Sequence, residues 1–307
     1  MISIITPTHK MTTLLDLTIG SVLMQTFKDY EWVVLDNSRE GYFESYLDGF
    51  FERHPELSNE RHHIRIVRKV YDRVCIGRMK NDLVRETRCG VCDYVLLLDH
   101  DDLLDINALQ RINDMDIRYR EASFITSDYI RLTYMDGLFY STKYNINTDI
   151  GPYGADVVSG CLDLDCGFVK LDYGYLKNYT YRYYDIGVEY DKLRSNKIAS
   201  HPRCIKKHVL LDPLYEFHEG HKYSEDIVQC FMLGCFLRGC YIEAPTVVNI
   251  DYDDKSNVHL NEMCEKESMD GIWEQQDCMD ALWVAKEKLF KGYETRNRFL
   301  NIDAYKK

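Results

Sequence analysis

Hydrophobic and polar positions in the first hundred residues alternate between the period of a β-strand and that of an α-helix. Runs of consecutive apolar residues predict buried strands, and apolar residues spaced three or four apart predict helices. The predicted strands cover 2–6, 31–36, 64–67 and 94–98, and the predicted helices cover 12–25, 42–51 and 78–88. Strands that alternate with helices are typical of an α/β fold with a mostly parallel central sheet and helices on both faces.

The pattern changes after residue 120. The stretches 128–134 and 138–142 flank Asp136-Gly137, which predicts a β-hairpin and therefore a small antiparallel part. Residues 140–215 show no clear period and receive no assignment. The remaining predicted elements are a helix over 224–239, a strand over 241–250 and an amphipathic helix over 263–293.

This order of elements predicts one domain followed by a helical tail. Internal repeats and linkers rich in glycine, serine or proline are absent from the sequence, so a break inside the domain is not indicated. The predicted domain covers 1–260, with halves at 1–104 and 105–260, and the C-terminal helical tail covers 261–307.

Composition and charge narrow the class of protein. The chain has 307 residues and is 45% hydrophobic, so it can bury a large core. A formal net charge of −12 argues against binding to nucleic acid or to an anionic membrane. The local basic cluster at 203–208 is a place where an anion would still meet positive charge.

The cysteines and the lengths of the apolar runs indicate in which cellular compartment the protein is expected. Eleven cysteines form no regular framework, and no apolar run is long enough to span a bilayer or to resemble a signal peptide. Cys89 and Cys92 have the spacing of half a zinc site without a second pair, so we expect small buried thiols there. These features predict a soluble cytoplasmic protein.

A group of carboxylates follows the predicted strand at 94–98. Asp99, Asp101 and Asp102 lie within four positions, where the chain leaves the sheet. Carboxylates this close repel one another, and a hard divalent cation is the usual way to keep them ionised together. Ligands of open α/β sheets bind at the carboxyl ends of the strands, which favours a metal or phosphate site. The alternative is an Asp-rich turn that caps the helix beginning near Asp105.

Six short motifs in a matching order and spacing resemble those of a known family. They are Ile2-Ser-Ile-Ile-Thr-Pro-Thr8, Ser21-Val-Leu-Met-Gln-Thr26, Glu31-Trp-Val-Val-Leu-Asp36-Asn-Ser38, 77–81, Leu98-Asp-His-Asp-Asp102 and Ser224-Glu-Asp226. Across residues 1 to 104, and again near 224–250, the chain resembles the family-2-like inverting glycosyltransferases with the GT-A fold. The resemblance implies that 1–104 is the nucleotide-binding half and that 105–260 binds the acceptor.

The resemblance implies a nucleotide diphosphate sugar as donor, with UDP favoured, and Mn²⁺ or Mg²⁺ as cofactor. Asp101 would be the direct metal ligand, Asp99 would lie near the ribose or the metal, and Asp102 would support them or cap a helix. Asp36 would accept a hydrogen bond from uracil, although an Asx turn after the strand is the alternative. The other residues expected to bind the nucleotide are Thr6, Pro7, Thr8, Lys80 and His100.

Two departures from the family pattern concern nucleotide contacts rather than carboxylates. Lys80 stands where the family usually has an arginine before an asparagine. His9 and Lys10 stand where the family has an asparagine after the first strand.

An inverting transfer also needs a base that takes a proton from the acceptor hydroxyl. By resemblance this base is Asp226, although Ser224 as N-cap with acidic residues in the first helical turn is a purely structural alternative. We expect Glu225 and His221 to contact the acceptor and His259 to be a further metal ligand.

These expectations predict a metal-dependent enzyme that transfers a sugar to a hydroxyl of a glycan or glycoconjugate. The expected partners are the nucleotide sugar, the acceptor and a second copy of the chain bound through the tail helix. Two alternatives are a non-catalytic nucleotide- or sugar-binding module of the same fold and a nucleotidyltransferase. Nucleotidyltransferases usually carry a glycine-rich loop after the first strand, whereas Thr6-Pro-Thr-His-Lys10 has no glycine.

Overall fold

A computed structural model of the protein describes most of the first 145 residues and several later segments. The described residues are 1–8, 14–71, 75–135, 138–145, 157–158, 162–168, 170–173, 176–177, 181–185, 203–213, 215–217, 219, 229, 233 and 237–252. The predicted tail helix at 263–293 and most of the predicted helix at 224–239 lie outside them.

The first hundred residues form the predicted alternation of strands and helices. The strands are β1 (Ile2–Thr8), β2 (Tyr30–Asp36), β3 (Ile64–Arg68) and β4 (Tyr94–Leu97). The helices are α1 (Leu15–Leu23), α2 (Tyr42–Arg53) and α3 (Ile76–Glu86), and a 3₁₀ segment covers Pro55–His63. Element types are confirmed throughout, and their ends differ from the prediction by a few residues.

The later residues that the structure describes are mostly in strands. The described strands are β5 (Leu103–Leu104), β6 (Phe124–Met135), β7 (Leu138–Asn145), β8 (Val157–Val158), β9 (Leu162–Asp165), β10 (Lys170–Tyr173), β11 (Leu176–Lys177), β12 (Tyr181–Asp185), β13 (Arg203–Lys206) and β14 (Arg238–Tyr252). The described residues also include the helix α4 (Ala108–Arg118) and the single turn α5 (Lys207–Leu210). β6 and β7 pair antiparallel, which confirms the predicted hairpin.

Within the described residues, ten strands form one sheet whose main path runs β12-β14-β6-β13-β4-β1-β2-β3. β3, β2, β1 and β4 are parallel neighbours. β13 enters between β4 and β6 and is antiparallel to both of them. Strands from both predicted halves of the chain therefore share one sheet, and the parallel part places the ends of β1, β2 and β4 side by side.

The parallel strands β1, β2 and β4 are buried on both faces, which explains their largely apolar runs, whereas the edge strand β3 is only partly buried. Alternate residues of β2 enter different core clusters: Trp32 and Val34 pack with α1, α2 and α4, whereas Val33 and Leu35 pack with α3. Trp32 is fully buried, and its ring meets Phe43 of α2 edge to face with centroids 5.9 Å apart. The predicted α/β sheet with helices on both faces is confirmed.

A glycine at the start of β14 permits close packing against its neighbour β6. A Cβ atom at Gly239 would lie 2.4 Å from ring atoms of Phe124, which is itself 2% exposed. Because overpacking a filled core costs about 1–3 kcal/mol, we expect Gly239→Ala to lower the free energy of unfolding by that amount. Urea denaturation measures the change.

The matched control for this substitution is Gly49→Ala in α2. The added Cβ there would meet only an Arg53 guanidinium nitrogen at 3.3 Å, and alanine favours a helix over glycine by about 0.5–1 kcal/mol. A Gly239→Ala protein as stable as wild type would contradict the close packing of β6 and β14.

The structure corrects the expectation for one of the two cysteines. Cys89 is buried as expected, but Cys92 is exposed because it lies in the turn before β4. In the basic cluster, Lys206 and Lys207 donate to the backbone carbonyls of Arg120 and of Thr87 and Cys89, so these lysines anchor loops. In the described part of the chain, no helix has the length and apolar character needed to cross a membrane.

Candidate nucleotide-binding site

The candidate site lies where the carboxyl ends of β1, β2 and β4 meet. Thr8 pairs with Asp36 in the parallel register, and the Asn37 N–H donates to the Thr8 carbonyl at 2.8 Å. On the other side of β1, the Leu98 N–H donates to the Ile5 carbonyl at 3.1 Å, immediately before Asp99. The sheet thus brings predicted residues that are far apart in sequence to one edge.

The Asp36 carboxylate organises the connection from β2 to α2. It is fully buried, and its oxygens accept hydrogen bonds from the Ser38 N–H at 2.8 Å and the Phe43 N–H at 3.0 Å. The first bond forms the Asx turn given above as the alternative, and the second satisfies a free N–H of the first helical turn. A carboxylate has about four lone-pair sites, so these two bonds do not use all of its capacity to accept hydrogen bonds. A contact of Asp36 with uracil stays a prediction.

The same connection contains a left-handed glycine. Gly41 has φ of 74°, and the Ser38 hydroxyl oxygen accepts hydrogen bonds from the Gly41 and Tyr42 N–H groups at 3.0 and 2.9 Å. A Cβ atom at position 41 would also lie 2.7 Å from the guanidinium carbon of Arg68 at the end of β3. The sharp turn that leads from Asp36 into α2 therefore favours glycine at this position.

The end of β1 is buried among its neighbours. Thr6 and Thr8 are 0% and 1% exposed, and Pro7 is buried between them. The Thr6 hydroxyl accepts a hydrogen bond from the Trp32 indole N–H at 2.9 Å, so this side chain satisfies the buried indole. The expected contacts of Thr6, Pro7 and Thr8 with the base stay predictions.

The carboxylates after β4 separate into two environments. Asp99 and Asp101 are partly exposed, whereas Asp102 is 2% exposed. A turn is closed by the Asp102 N–H, which donates to the Asp99 carbonyl at 3.2 Å, and the Thr18 hydroxyl donates to the His100 carbonyl at 3.0 Å. Asp99 and Asp101 therefore remain accessible to a ligand at the end of the sheet.

Asp102 fastens this turn to β14. One of its carboxylate oxygens accepts hydrogen bonds from the Asn249 side-chain amide at 3.0 Å and from the Ile250 N–H at 3.4 Å. The N-cap position of α4 is Asn107, so Asp102 does not cap that helix. Of the two roles expected for Asp102, support of the neighbouring carboxylates agrees with its contacts.

We expect Asp102→Ala to lower the free energy of unfolding by about 1–3 kcal/mol, because buried donors of β14 would lose their acceptor. Asp102→Asn keeps a side-chain oxygen at the same place and is expected to lose less. Thermal and urea unfolding of both variants measure this difference. Equal stability of wild type and Asp102→Ala would contradict the anchoring role.

Lys80 reaches the site from the side of α3. Its side chain is 3% exposed, and its ammonium nitrogen lies 3.6 Å from an oxygen of Asp99 and 5.7 Å from the ring centroid of Phe217. Lys80 therefore lies next to Asp99, and its expected contact with the nucleotide stays a prediction. Its buried ammonium places positive charge next to the carboxylates, as binding of an anionic phosphate requires.

Asn81, next to Lys80, holds a distant segment against α3. Its side-chain amide donates to the Phe217 carbonyl at 2.8 Å and to a carboxylate oxygen of Glu219 at 3.1 Å, and its oxygen accepts from the Phe217 N–H at 2.9 Å. Asn81 belongs to the motif at 77–81, which by itself assigns this residue no role. Its partners are 136 to 138 positions away in sequence, so only the tertiary structure reveals this contact.

A second set of contacts that the sequence does not predict lies at the ends of β2 and β3. The Asn37 side-chain oxygen accepts a hydrogen bond from the Tyr71 N–H at 2.9 Å, and the Tyr71 hydroxyl and Lys69 both donate to Asp82 of α3. Burial alone would raise the pKa of Asp82, but these two hydrogen bonds together with the positive charges of Lys69 and Arg85 lower that pKa. Burial and Asp82 raise the pKa of Tyr71. This network closes the side of the site next to β3.

The remaining predicted residues cannot be placed in the site. His221, Glu225, Asp226 and His259 lie outside the described residues. Within the described part of the chain, no group of three His, Cys, Asp or Glu side chains converges as a metal site would. Magnesium-type cations are usually held by one or two carboxylates together with substrate phosphates, so Asp99 and Asp101 suit such an ion as its protein ligands.

Comparisons with known proteins agree on the fold. TarS 1–349 of S. aureus superimposes with a TM-score of 0.53 at 12% identity, over 81% of this chain and 60% of that chain. The same fragment in complex with UDP-GlcNAc gives 0.53 at 15% identity, over 83% and 59%. Its complex with UDP gives 0.51 at 14% identity, over 81% and 60%. The chain thus spans about 60% of the length of these solved chains.

At such identities the likeness establishes the fold alone, and the sequence adds a family match over part of the chain. No curated protein matches the chain. Residues 3–129 match the model of the family described as Glycosyl transferase family 2, and this range covers β1 to β4 with the candidate site. Residues 3–129 therefore resemble the glycosyltransferases of family 2, and the described sheet has the GT-A-like fold of the solved TarS chains.

Proposed function

We propose that the protein is a metal-dependent inverting glycosyltransferase that moves a sugar from a UDP-sugar to a hydroxyl of a glycan acceptor. The observation that carries this proposal is the 3.6 Å approach of the Lys80 ammonium to Asp99, two residues before Asp101, at the carboxyl end of β4. The carboxylate oxygens of Asp99 and Asp101 could bind a metal ion, and the buried ammonium of Lys80 is positively charged. Both features suit the binding of a nucleotide diphosphate at this edge of the sheet. The structural likeness to TarS in complex with UDP-GlcNAc supports the choice of nucleotide.

In this proposal the donor diphosphate binds beside Lys80 and the exposed carboxylates. Asp101 and Asp99 would hold Mn²⁺ or Mg²⁺, with His259 as an additional ligand. When bound, such a cation would stabilise the negative charge that develops on the leaving diphosphate. The ammonium of Lys80, held 3.6 Å from Asp99, would contribute a fixed positive charge to the same leaving group.

The base of the proposed reaction is Asp226. Its carboxylate would accept the proton of the acceptor hydroxyl as that oxygen attacks the anomeric carbon from the face opposite the nucleotide. The anomeric C–O bond to the diphosphate breaks with its electron pair on the diphosphate, and the configuration at the anomeric carbon inverts. Glu225 and His221 are proposed to contact the acceptor on the same side.

The test is a thermal-shift screen of nucleoside diphosphates with and without Mn²⁺, followed by NMR analysis of the product. A shift with UDP leads to incubation of the UDP-sugars with candidate glycan acceptors, and the proposal expects a product of inverted anomeric configuration. A product of retained configuration would contradict the mechanism. A protein that binds no nucleotide would contradict the enzyme and favour the alternative of a non-catalytic module.

A further inference from the structure

We propose that Asn81 is a positioning residue that holds residues 215–217 and 219 against α3 and thereby fixes Phe217 beside Lys80 at the donor site. This inference rests on the proposed function, since it assigns Asn81 a part in the same reaction.

Asn81 forms a paired hydrogen bond with one backbone unit of that segment. Its amide oxygen and nitrogen bind the N–H and the carbonyl of Phe217, at 2.9 and 2.8 Å, and Asn81 itself is 2% exposed. Two opposed hydrogen bonds to one residue fix both the position and the orientation of the backbone there. Aspartate or leucine, which have similar shape, cannot supply both a donor and an acceptor.

Neighbouring contacts on α3 follow the same segment. The Cys75 thiol donates to the Glu219 carbonyl at 3.0 Å, and Arg85 lies 3.3 Å from the Glu216 carboxylate. Cys75 precedes α3, Asn81 lies near its middle and Arg85 near its end, so the segment follows the helix along most of its length. Asn81 is the central and most buried of these contacts.

The segment so held contacts the donor site directly. The Phe217 ring is 1% exposed and lies 5.7 Å from the ammonium of Lys80, which in turn lies 3.6 Å from Asp99. A displacement of Phe217 would therefore change the surroundings of the cation proposed to meet the diphosphate. Asn81 acts on this site through Phe217 and Lys80 rather than by contact with substrate.

A residue later in the chain also contacts this segment. The Gln229 amide donates to the Tyr215 carbonyl at 2.8 Å, and Gln229 is 2% exposed. Leu233 packs in the same core cluster as Phe217. Because Lys80 is proposed to stabilise the charge on the leaving diphosphate, we expect loss of the Asn81 contact to lower the rate of the reaction more than donor binding.

The experiment compares Asn81→Ala with the control Asn113→Ala, which removes a partly exposed asparagine of α4. Hydrogen–deuterium exchange of the full chain reports on peptides covering 215–229. We expect at least tenfold faster exchange there in Asn81→Ala, with exchange in β1, β2 and β4 unchanged and the control like wild type. Exchange within twofold of wild type over 215–229 would overturn the proposal.

A pair of complementary variants distinguishes loss of this contact from a general loss of stability. Asn81→Asp places two carboxylates together, whereas Asn81→Asp combined with Glu219→Gln reverses the hydrogen bond between these positions. We expect slower exchange over 215–229 in the double variant than in Asn81→Asp. Equal exchange in the two would mean that the contact with Glu219 does not hold the segment.

Kinetics separates positioning from donor binding. With UDP-GlcNAc as probe, we expect UDP release in Asn81→Ala to show a kcat at least tenfold lower and a KM within threefold of wild type. A loss confined to KM, or an unchanged kcat, would overturn the role in positioning. A wild-type protein that binds no nucleotide would contradict the proposed function, whereas the exchange measurements would still decide whether Asn81 holds the segment.

Discussion

Replacing Asp226 by asparagine is expected to lower the rate of sugar transfer by a factor of about 10²–10⁴, with folding and donor binding as in wild type. Asparagine has nearly the same shape but cannot take a proton from the acceptor hydroxyl. The loss corresponds to about 3–5 kcal/mol of transition-state stabilisation. Transfer measured under saturating donor and acceptor gives kcat, and a thermal shift with UDP verifies the donor site.

Glu225→Gln is the matched control, because it removes the adjacent carboxylate of the same predicted motif. We expect a smaller loss of kcat, accompanied by a change in the KM of the acceptor that this residue is proposed to contact. Full transfer activity in Asp226→Asn would remove Asp226 from the mechanism. The acidic residues after Ser224 would then be a helix cap, as the structural alternative holds.

The second large effect is expected for Asp101→Ala, which should abolish the Mn²⁺-dependent part of the stabilisation by UDP. A ligand that binds only the folded state stabilises it by about 2.7 kcal/mol at a hundredfold excess over its dissociation constant. Asp101 is partly exposed at the end of the sheet, so its removal is not expected to lower the stability of the free protein by much. Thermal unfolding with UDP, with and without Mn²⁺, measures both quantities.

Asp102→Asn is the control for this measurement, since Asp102 is buried and bonded to β14 beside the same turn. We expect that variant to keep the metal-dependent shift with UDP. An unchanged shift in Asp101→Ala would contradict the assignment of Asp101 as metal ligand. A shift with GDP or thymidine diphosphate instead of UDP would keep the enzyme class and revise the base pocket around Asp36.

The parallel half of the fold could be predicted from sequence because its signals are local. Buried parallel strands need continuous apolar runs, and Tyr30–Asp36 and Tyr94–Leu97 show such runs between helices of a different period. The pairing of β6 with β7 could be predicted for the same reason, since the two strands are neighbours in sequence. β13 was not predicted, because its four residues, Arg203–Lys206, pair with strands more than 70 positions earlier.

The candidate site likewise has residues that could be predicted from the sequence and contacts that could not. Asp36, Asp99 and Asp101 could be selected because they follow strands, and the ends of parallel strands converge on one edge of the sheet. The different surroundings of Asp101 and Asp102 could not be predicted, since the partner of Asp102 is Asn249 on β14. The contact of Asn81 could not be predicted either, because its partner Phe217 is 136 positions away in the sequence.

The sequence by itself therefore determined which elements form, which strand ends carry chemistry and which family the motifs resemble. Apolar periodicity and short motifs involve residues that are close together in the chain, so they can be recognised without knowledge of the tertiary structure. The tertiary structure alone decided the strand order with β13 between β4 and β6, the anchoring of Asp102 and the pairing of Asn81 with Phe217. These features depend on side chains and strands that are distant in sequence, and only the packed sheet brings them within hydrogen-bonding distance.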